Sequence, residues 1–169
     1  MEKARLLIDM LGLEPLPGEG GYYRETYRSS EVLNPGALPS RYDRNKNFST
    51  AIYYLLTPNT RSLLHKLPTD EVYHFYLGDP VLMLNLFPNG TIRKIVLGND
   101  VFKGQLCQYM VPAQTFQGSL LVEGGNFALM GTTMAPGFDF SDFIPGNRKR
   151  LADAYPDEFE LINLLTGQE

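Results

Sequence analysis

Tryptophan is absent from this 169-residue chain, cysteine occurs once and histidine twice. Each shortage excludes something. A lone Cys107 forms no internal bridge, so the fold must be held by packing. A chain of this length manages that, burying roughly 70% of the surface its unfolded form exposes. Two histidines, His65 and His74, are too few for a metal centre that takes three from one subunit. Basic residues are outnumbered, 15 against 19, and the one basic cluster, "NRKR", reads as a solvated helix face. That balance argues against a nucleic-acid partner. No apolar run approaches the roughly 20 residues of a membrane helix. The opening "MEKARLLIDMLGLEPLPGEGG" is interrupted by acidic residues and prolines, unlike a secretory signal. The expected setting is cytoplasmic, with no membrane partner.

What the chain does contain is short apolar segments. Ala4, Leu7, Ile8 and Leu11 fall at helical spacing and Gly12 stands at the stop, which predicts a helix over 1–13. "YYRETYRSS" alternates like a strand, placing Tyr22, Arg24 and Arg28 on one face. Residues 30–47 read as a long surface loop. From residue 49 there follow "STAIYYLLT", "SLLHKL", "EVYHFYLG", "VLMLNLFP", "TIRKIVLG", "QLCQYMVP", "TFQGSLLV" and "FALMGTTMAP". Many short β-rich segments with turn residues between them predict an all-β sandwich or barrel over 20–145. Asn89-Gly90 predicts a type I′ hairpin turn. "NRKRLADAYP" and "DEFELINLLT" return to helical spacing, giving helices over 147–166 with Pro156 at the start of the second. The whole reads as a single domain, 1–169.

The chemistry concentrates in "HKLPTDEVYHFYLG", residues 65–78. Strand parity puts Glu71, Tyr73 and Phe75 on one face and Val72, His74 and Tyr76 on the other. If Glu71 points inward, His74 points out. The order His65, Glu71, Gly78 is similar to the later part of the first cupin motif, G-x5-H-x-H-x3-4-E-x6-G, with one extra residue before the glutamate. "PAQTFQ", 112–117, resembles part of the second motif, with Gln114 at a usual glycine and Gln117 at a usual histidine. "GGYYRETYRS", "AIYYLL", "DEVYHFYLGDP", "VPAQTFQG" and "APGFDFSDF" together resemble the cupin-5 type, from about Gly20 to Phe143. The resemblance implies a cupin jelly-roll barrel and, from members of the superfamily, a homodimer.

Metal cupins use three histidines and a glutamate. Here the first ligand position falls on Leu63 and the last on Gln117, a feeble amide ligand. No cofactor is therefore expected. Were a divalent metal to bind, His65, Glu71 and Gln117 would hold it. The resemblance extends distantly to the rhamnose-pathway sugar-nucleotide epimerases, metal-free barrels that use a histidine–carboxylate pair. On that pattern His65 is a general base, Glu71 its partner carboxylate and Tyr73 a candidate acid. Tyr53 or Tyr54 must face inward. Arg24, Tyr53, Phe75 and Gln117 are the expected ligand-binding residues, with Arg24 and Arg28 read either as an anion clamp or as surface ion pairs. The expected function is binding of a small sugar-like or nucleotide-linked molecule, with metal-independent isomerisation or epimerisation. Two other readings stand: a metabolite-binding or sensing module without turnover, and a metal-dependent cupin enzyme with an incomplete ligand set. Asp139 and Asp142 read as turn caps among packed phenylalanines, and Cys107 as a core thiol.

Overall fold

A computed structural model describes residues 2–167. Helix α1 (Glu2–Leu11) precedes thirteen strands. They are β1 (Glu14–Pro15), β2 (Tyr22–Arg28), β3 (Val32–Leu33), β4 (Lys46–Asn47), β5 (Thr50–Leu56), β6 (Ser62–Lys66) and β7 (Glu71–Gly78). After these come β8 (Val81–Leu86), β9 (Ile92–Leu97), β10 (Gln108–Val111), β11 (Phe116–Leu121), β12 (Ala128–Met134) and β13 (Ile144–Pro145). Helices α2 (Arg148–Ala154) and α3 (Phe159–Leu164) close the chain. Every strand segment expected from residue 49 onward is present.

The strands form a six-stranded sheet, β1-β2-β5-β12-β7-β10, and a five-stranded sheet, β13-β6-β11-β8-β9. Inward residues of both sheets make one core: Tyr54, Tyr73, Phe75 and Met130 from the first, Val81, Met83 and Leu121 from the second. This is the cupin jelly roll. The apolar face of α1, with Leu7, Ile8 and Leu11, packs on Leu55 and Leu129 outside the first sheet. Leu151, Tyr155, Ile162 and Leu165 near the carboxyl end cover Leu64, Leu84 and Leu86 outside the second. The terminal helices thus shield the apolar outer sides that a bare sandwich would expose to water.

Three local expectations are corrected. The loop 30–47 is not wholly irregular: β3 and β4 pair across it, and Pro35–Ala37 form a 3-10 turn. The 88–91 hairpin is not type I′, because Asn89 keeps negative φ while Gly90 takes φ 86°. Gly90 N–H reaches Phe87 O (2.9 Å) and Phe87 N–H reaches Thr91 O (2.9 Å), a type I turn with a glycine bulge. Pro88 suits the first central position of such a turn. Cys107 is exposed rather than buried, because it sits in the irregular link ahead of β10 instead of on an inward strand position. Pro156 opens a 3-10 turn (Pro156–Glu158) that leads into α3.

Two bulges set up the interior. In β2, Glu25 pairs with Ile52 but Tyr27 pairs with Ala51, so Thr26 is the extra residue. The parity of the strand flips there. Between β6 and β11, Gln117 pairs with His65 but Ser119 with Ser62. That slip turns both Ser62 and His65 inward although they are three residues apart. Gly118 lies opposite, where a Cβ would stand 3.0 Å from Leu64 N and from Ser62 O, so the close approach needs glycine.

Candidate functional site

A cavity of about 250 Å³ opens between the sheets, lined by His65 (β6), Glu71 (β7), Thr132 and Met134 (β12), Thr50 and Ile52 (β5) and Tyr23, Glu25 and Arg28 (β2). Leu16, Glu19 and Leu67 complete its walls with Phe138 and Phe140 from the segment after β12. His65 and Glu71, expected in the site, both line it. Gln117 and Tyr73 stand directly behind them. The Gln117 amide nitrogen lies 2.8 Å from His65 Nε2, 2.9 Å from Tyr73 Oη and 3.2 Å from Glu71 Oε2. Four expected residues therefore meet.

Three do not join them. Phe75 faces inward but lies in the packed core, two residues farther along β7 than Tyr73. Tyr53 faces outward against Tyr76, since Tyr54 is the inward member of that pair, at 1% exposure. Arg24 lies over the Tyr53 ring (5.9 Å), also outside. The Thr26 bulge explains why Arg24 and Arg28 part company: only Arg28 turns into the cavity. Its guanidinium is already engaged, donating to both carboxylate oxygens of Glu25 (2.9 and 2.7 Å), to Asn47 Oδ1 (2.8 Å) and to Phe138 O (3.1 Å).

The imidazole of His65 is almost fully buried and stacks on Phe143, with centroids 4.8 Å apart. Nδ1–H donates to Leu63 O (2.8 Å), which leaves Nε2 with its lone pair toward Gln117 and the cavity. The carboxylate closest to the ring is Glu19, with Oε2 3.7 Å from Nε2. Glu19 also accepts from Ser62 Oγ (2.7 Å). His65 and Glu71 thus meet through the shared Gln117 amide, and Glu19 is a further acid group beside the ring. The tautomer is set by a backbone carbonyl, and the acid group beside Nε2 comes from the irregular "PGEGG" stretch. Periodicity gives no sign of Glu19, because it lies on no strand. The only local hint is a carboxylate flanked by glycines where the chain turns sharply, with φ of 78° at Gly18 and 96° at Gly20.

Burial pushes the Glu71 carboxyl from its ordinary 4.5 up to about 7. The nearby Glu19 charge adds to the rise, while the His65 ring and hydrogen bonds from Thr132 and Tyr73 oppose it. Burial likewise raises the Tyr73 phenol well above its usual range, so Tyr73 acts as an O–H donor rather than a proton source. The sign for stability follows from linkage. The folded state holds a proton on Glu71 that the unfolded state releases near 4.5, so stability falls as pH rises from about 4.5 to 7 and then levels. The contribution is about 3 kcal/mol at 1.36 kcal/mol per unit. Glu71→Gln is expected to remove it. Urea unfolding should give wild type and variant similar midpoints near pH 5, with the variant more stable at pH 8. Parallel curves at both pH values would refute the shift.

The segment over the cavity is tied down. Lys46 and Asp142 form an ion pair whose side chains are 2% and 10% exposed, and Lys46 Nζ lies 5.9 Å from the Tyr42 ring centroid. Asp142 is thus a buried partner rather than a turn cap. Asp139 does cap, accepting from Ser141 N–H (2.8 Å). Gln114, at the usual glycine of the second motif, takes φ 67°, the left-handed backbone that glycine adopts freely.

The family model described as Cupin_5, cupin superfamily (DUF985), matches residues 5–144. The chain is a Cupin_5 protein. The uncharacterized protein YML079W of Saccharomyces cerevisiae is 34% identical over 133 residues, 73% of this chain and 66% of that protein. A hypothetical protein from Leishmania major has a TM-score of 0.86 and 30% identity, covering 98% of this chain and 99% of its own. Protein SO0799 from Shewanella oneidensis matches equally, at 0.86 and 30%, with 98% of both chains covered. Oxalate decarboxylase of Bacillus subtilis, a protein with Mn(II) centers, shares the fold alone, at 16% identity and a TM-score of 0.53 over 93% of this chain and 38% of that one.

The donor set of this Cupin_5 protein does not fit such a metal. Leu63 offers no side-chain ligand at the first position. At the last, Gln117 supplies only a neutral amide, a feeble ligand, where a histidine is usual. Among the described residues no group of three or more His, Cys, Asp or Glu side chains is placed to hold an ion. Among the same residues no helix is long and apolar enough to cross a membrane.

Proposed function

We propose that this Cupin_5 protein binds a small hydroxylated carbonyl compound of sugar type and moves a proton on it without a metal, as an isomerase or epimerase. The observation that carries this reading is a buried acid of pKa about 7, Glu71, lining one cavity with a tautomer-fixed imidazole. A proton acceptor and a proton donor facing one ligand are what carbon acid chemistry requires. With the Gln117 N–H displaced from it by the ligand, Nε2 of His65 takes the proton next to the carbonyl. The C–H electrons form a carbon–carbon double bond, and the carbonyl oxygen becomes a hydroxyl with the proton of the Glu71 carboxyl. Glu19 stabilises the imidazolium from 3.7 Å. The imidazolium then gives its proton to the neighbouring carbon while the hydroxyl on the first carbon passes its proton to the Glu71 carboxylate and becomes the new carbonyl. For inversion, the ligand turns its other face to the imidazolium and Glu71 takes back the proton it gave.

The charges narrow the ligand. Glu19, Glu25 and Glu71 line the cavity against Arg28 and His65, and Arg28 is held by Glu25. An anion would meet carboxylates without a free guanidinium, so an uncharged ring is favoured. The volume, about 250 Å³, lies below the ~300–1,000 Å³ of drug-sized pockets, which suits one sugar ring. In a nucleotide-linked substrate the nucleotide would lie outside the mouth. A cytoplasmic homodimer is the assembly we propose, on the superfamily resemblance.

The test is incubation with a panel of aldoses and ketoses in deuterium oxide, read by mass spectrometry. Deuterium next to the carbonyl supports the reading. A sugar bound but left unlabelled instead favours a sensing module. Arg24→Ala is expected to leave binding and labelling unchanged, since Arg24 lies outside the barrel. A tenfold loss of binding in that variant would move the site to the outer face.

A further inference from the structure

Four side-chain oxygens among the described residues are buried without a hydrogen-bond partner: Gln117 Oε1, Ser119 Oγ, Asn85 Oδ1 and Thr115 Oγ1. They are not scattered. Gln117 and Ser119 alternate on β11 with Leu121, an inward core residue. Asn85 on β8 alternates with Val81 and Met83, also inward. Asn85 is directly paired with Gln117, and Gln117 is paired on its other side with His65. Thr115 lies two residues before Gln117. One row, His65–Gln117–Asn85, therefore crosses the concave face of the second sheet, with Ser119 and Thr115 above and below. Cross-strand neighbours stand about 5 Å apart and the three β11-side oxygens span roughly 14 Å.

A buried acceptor without a partner costs on the order of 1–3 kcal/mol, and native proteins rarely leave one empty. Four on one patch is a shared demand. Gln117 Oε1 and Asn85 Oδ1 accept only, so they call for a donor. Ser119 and Thr115 hydroxyls both give and accept. The chemistry that answers all four is O–H. Asn85 Nδ2 already reaches Arg93 O (3.4 Å), so Asn85 cannot turn its amide to cure the deficit without losing that bond.

We propose that the face formed by Asn85, Thr115, Gln117 and Ser119 is a hydroxyl-binding subsite behind His65, filled by ordered water or by hydroxyl groups of the ligand. It adjoins the cavity through Gln117, whose amide nitrogen contacts His65, Tyr73 and Glu71 while its oxygen has no partner. This goes beyond the proton-transfer reading and stands without it, since it needs no turnover.

The sign of a stability change tests it. If the patch holds bound hydroxyls, Ser119→Ala and Asn85→Leu each strip an anchor from a shared network, and the melting temperature falls by several degrees. If the oxygens are dry and unpaired, removing them relieves a penalty, and the melting temperature rises or stays. A rise in both variants overturns the proposal. Asn85→Leu also adds bulk, so a crystal structure of the wild-type protein provides a second reading. Density within hydrogen-bond distance of at least two of the four oxygens supports the subsite. A dry patch, or one filled by a rotated protein side chain, overturns it. A glycerol soak separates the sources: displaced water assigns the subsite to ligand hydroxyls, and retained water assigns it to resident solvent. Failure of the deuterium-labelling test would leave each of these outcomes unaffected.

Discussion

Replacing His65 with alanine is expected to lower proton exchange at the carbon next to the carbonyl by about 10²–10⁴-fold, the usual share of a general base. The ring has no substitute. The other histidine, His74, faces outward and is bonded to Thr133 Oγ1 (3.1 Å) and Gln108 Nε2 (3.2 Å). Loss of the base should appear in kcat, with KM less affected, because the walls that hold the ligand remain. Glu19→Gln should fall between wild type and His65→Ala, since it keeps the hydrogen bond from Ser62 but loses the charge beside Nε2. Steady-state rates of deuterium incorporation on folded protein, checked by circular dichroism, measure both. Full exchange in His65→Ala would end the assignment of the base.

Removing one member of the Lys46–Asp142 pair is expected to destabilise the protein by about 3–5 kcal/mol, the cost of leaving a buried charge without its partner. The pair is far from a surface salt bridge: Lys46 is 2% exposed along its side chain. In Asp142→Ala the ammonium is left near the Tyr42 ring, which offers only a weak substitute. The double replacement Lys46→Met, Asp142→Leu should recover most of the loss, because both charges leave together. Denaturant unfolding of the two variants decides the matter, and a single variant within 1 kcal/mol of wild type would contradict burial of the pair. The site should feel the change as well. Phe138 and Phe140 line the cavity and Phe143 stacks on His65, all from the segment that Asp142 anchors.

Much of the barrel was legible because strands write their two faces at a period of two. Glu71, Tyr73 and Phe75 fall inward as the alternation of "EVYHFY" requires, and His74 falls outward. What alternation cannot foresee is an inserted residue. Thr26 reverses β2, so Arg28 enters the cavity while Arg24 stays out, and the sequence "RETYR" gives no mark of it. Glu19 was missed for a different reason: a carboxylate on an aperiodic turn is placed by tertiary contacts alone. Cys107 shows the converse error, apparent alternation continued one step beyond the strand that carries it. The patch at Asn85, Thr115, Gln117 and Ser119 was hidden because each residue alone is an ordinary polar position. Only the register of β6, β11 and β8 brings the four together.

The grip of the Leu63 carbonyl on His65 has a wider meaning. One of the contacts that aim the imidazole comes from the main chain of its own strand, two residues upstream, beside those from Gln117 and Phe143. That contact survives any change of side chain in the surrounding walls, so part of the aim of the base is kept whatever ligand the walls are shaped for.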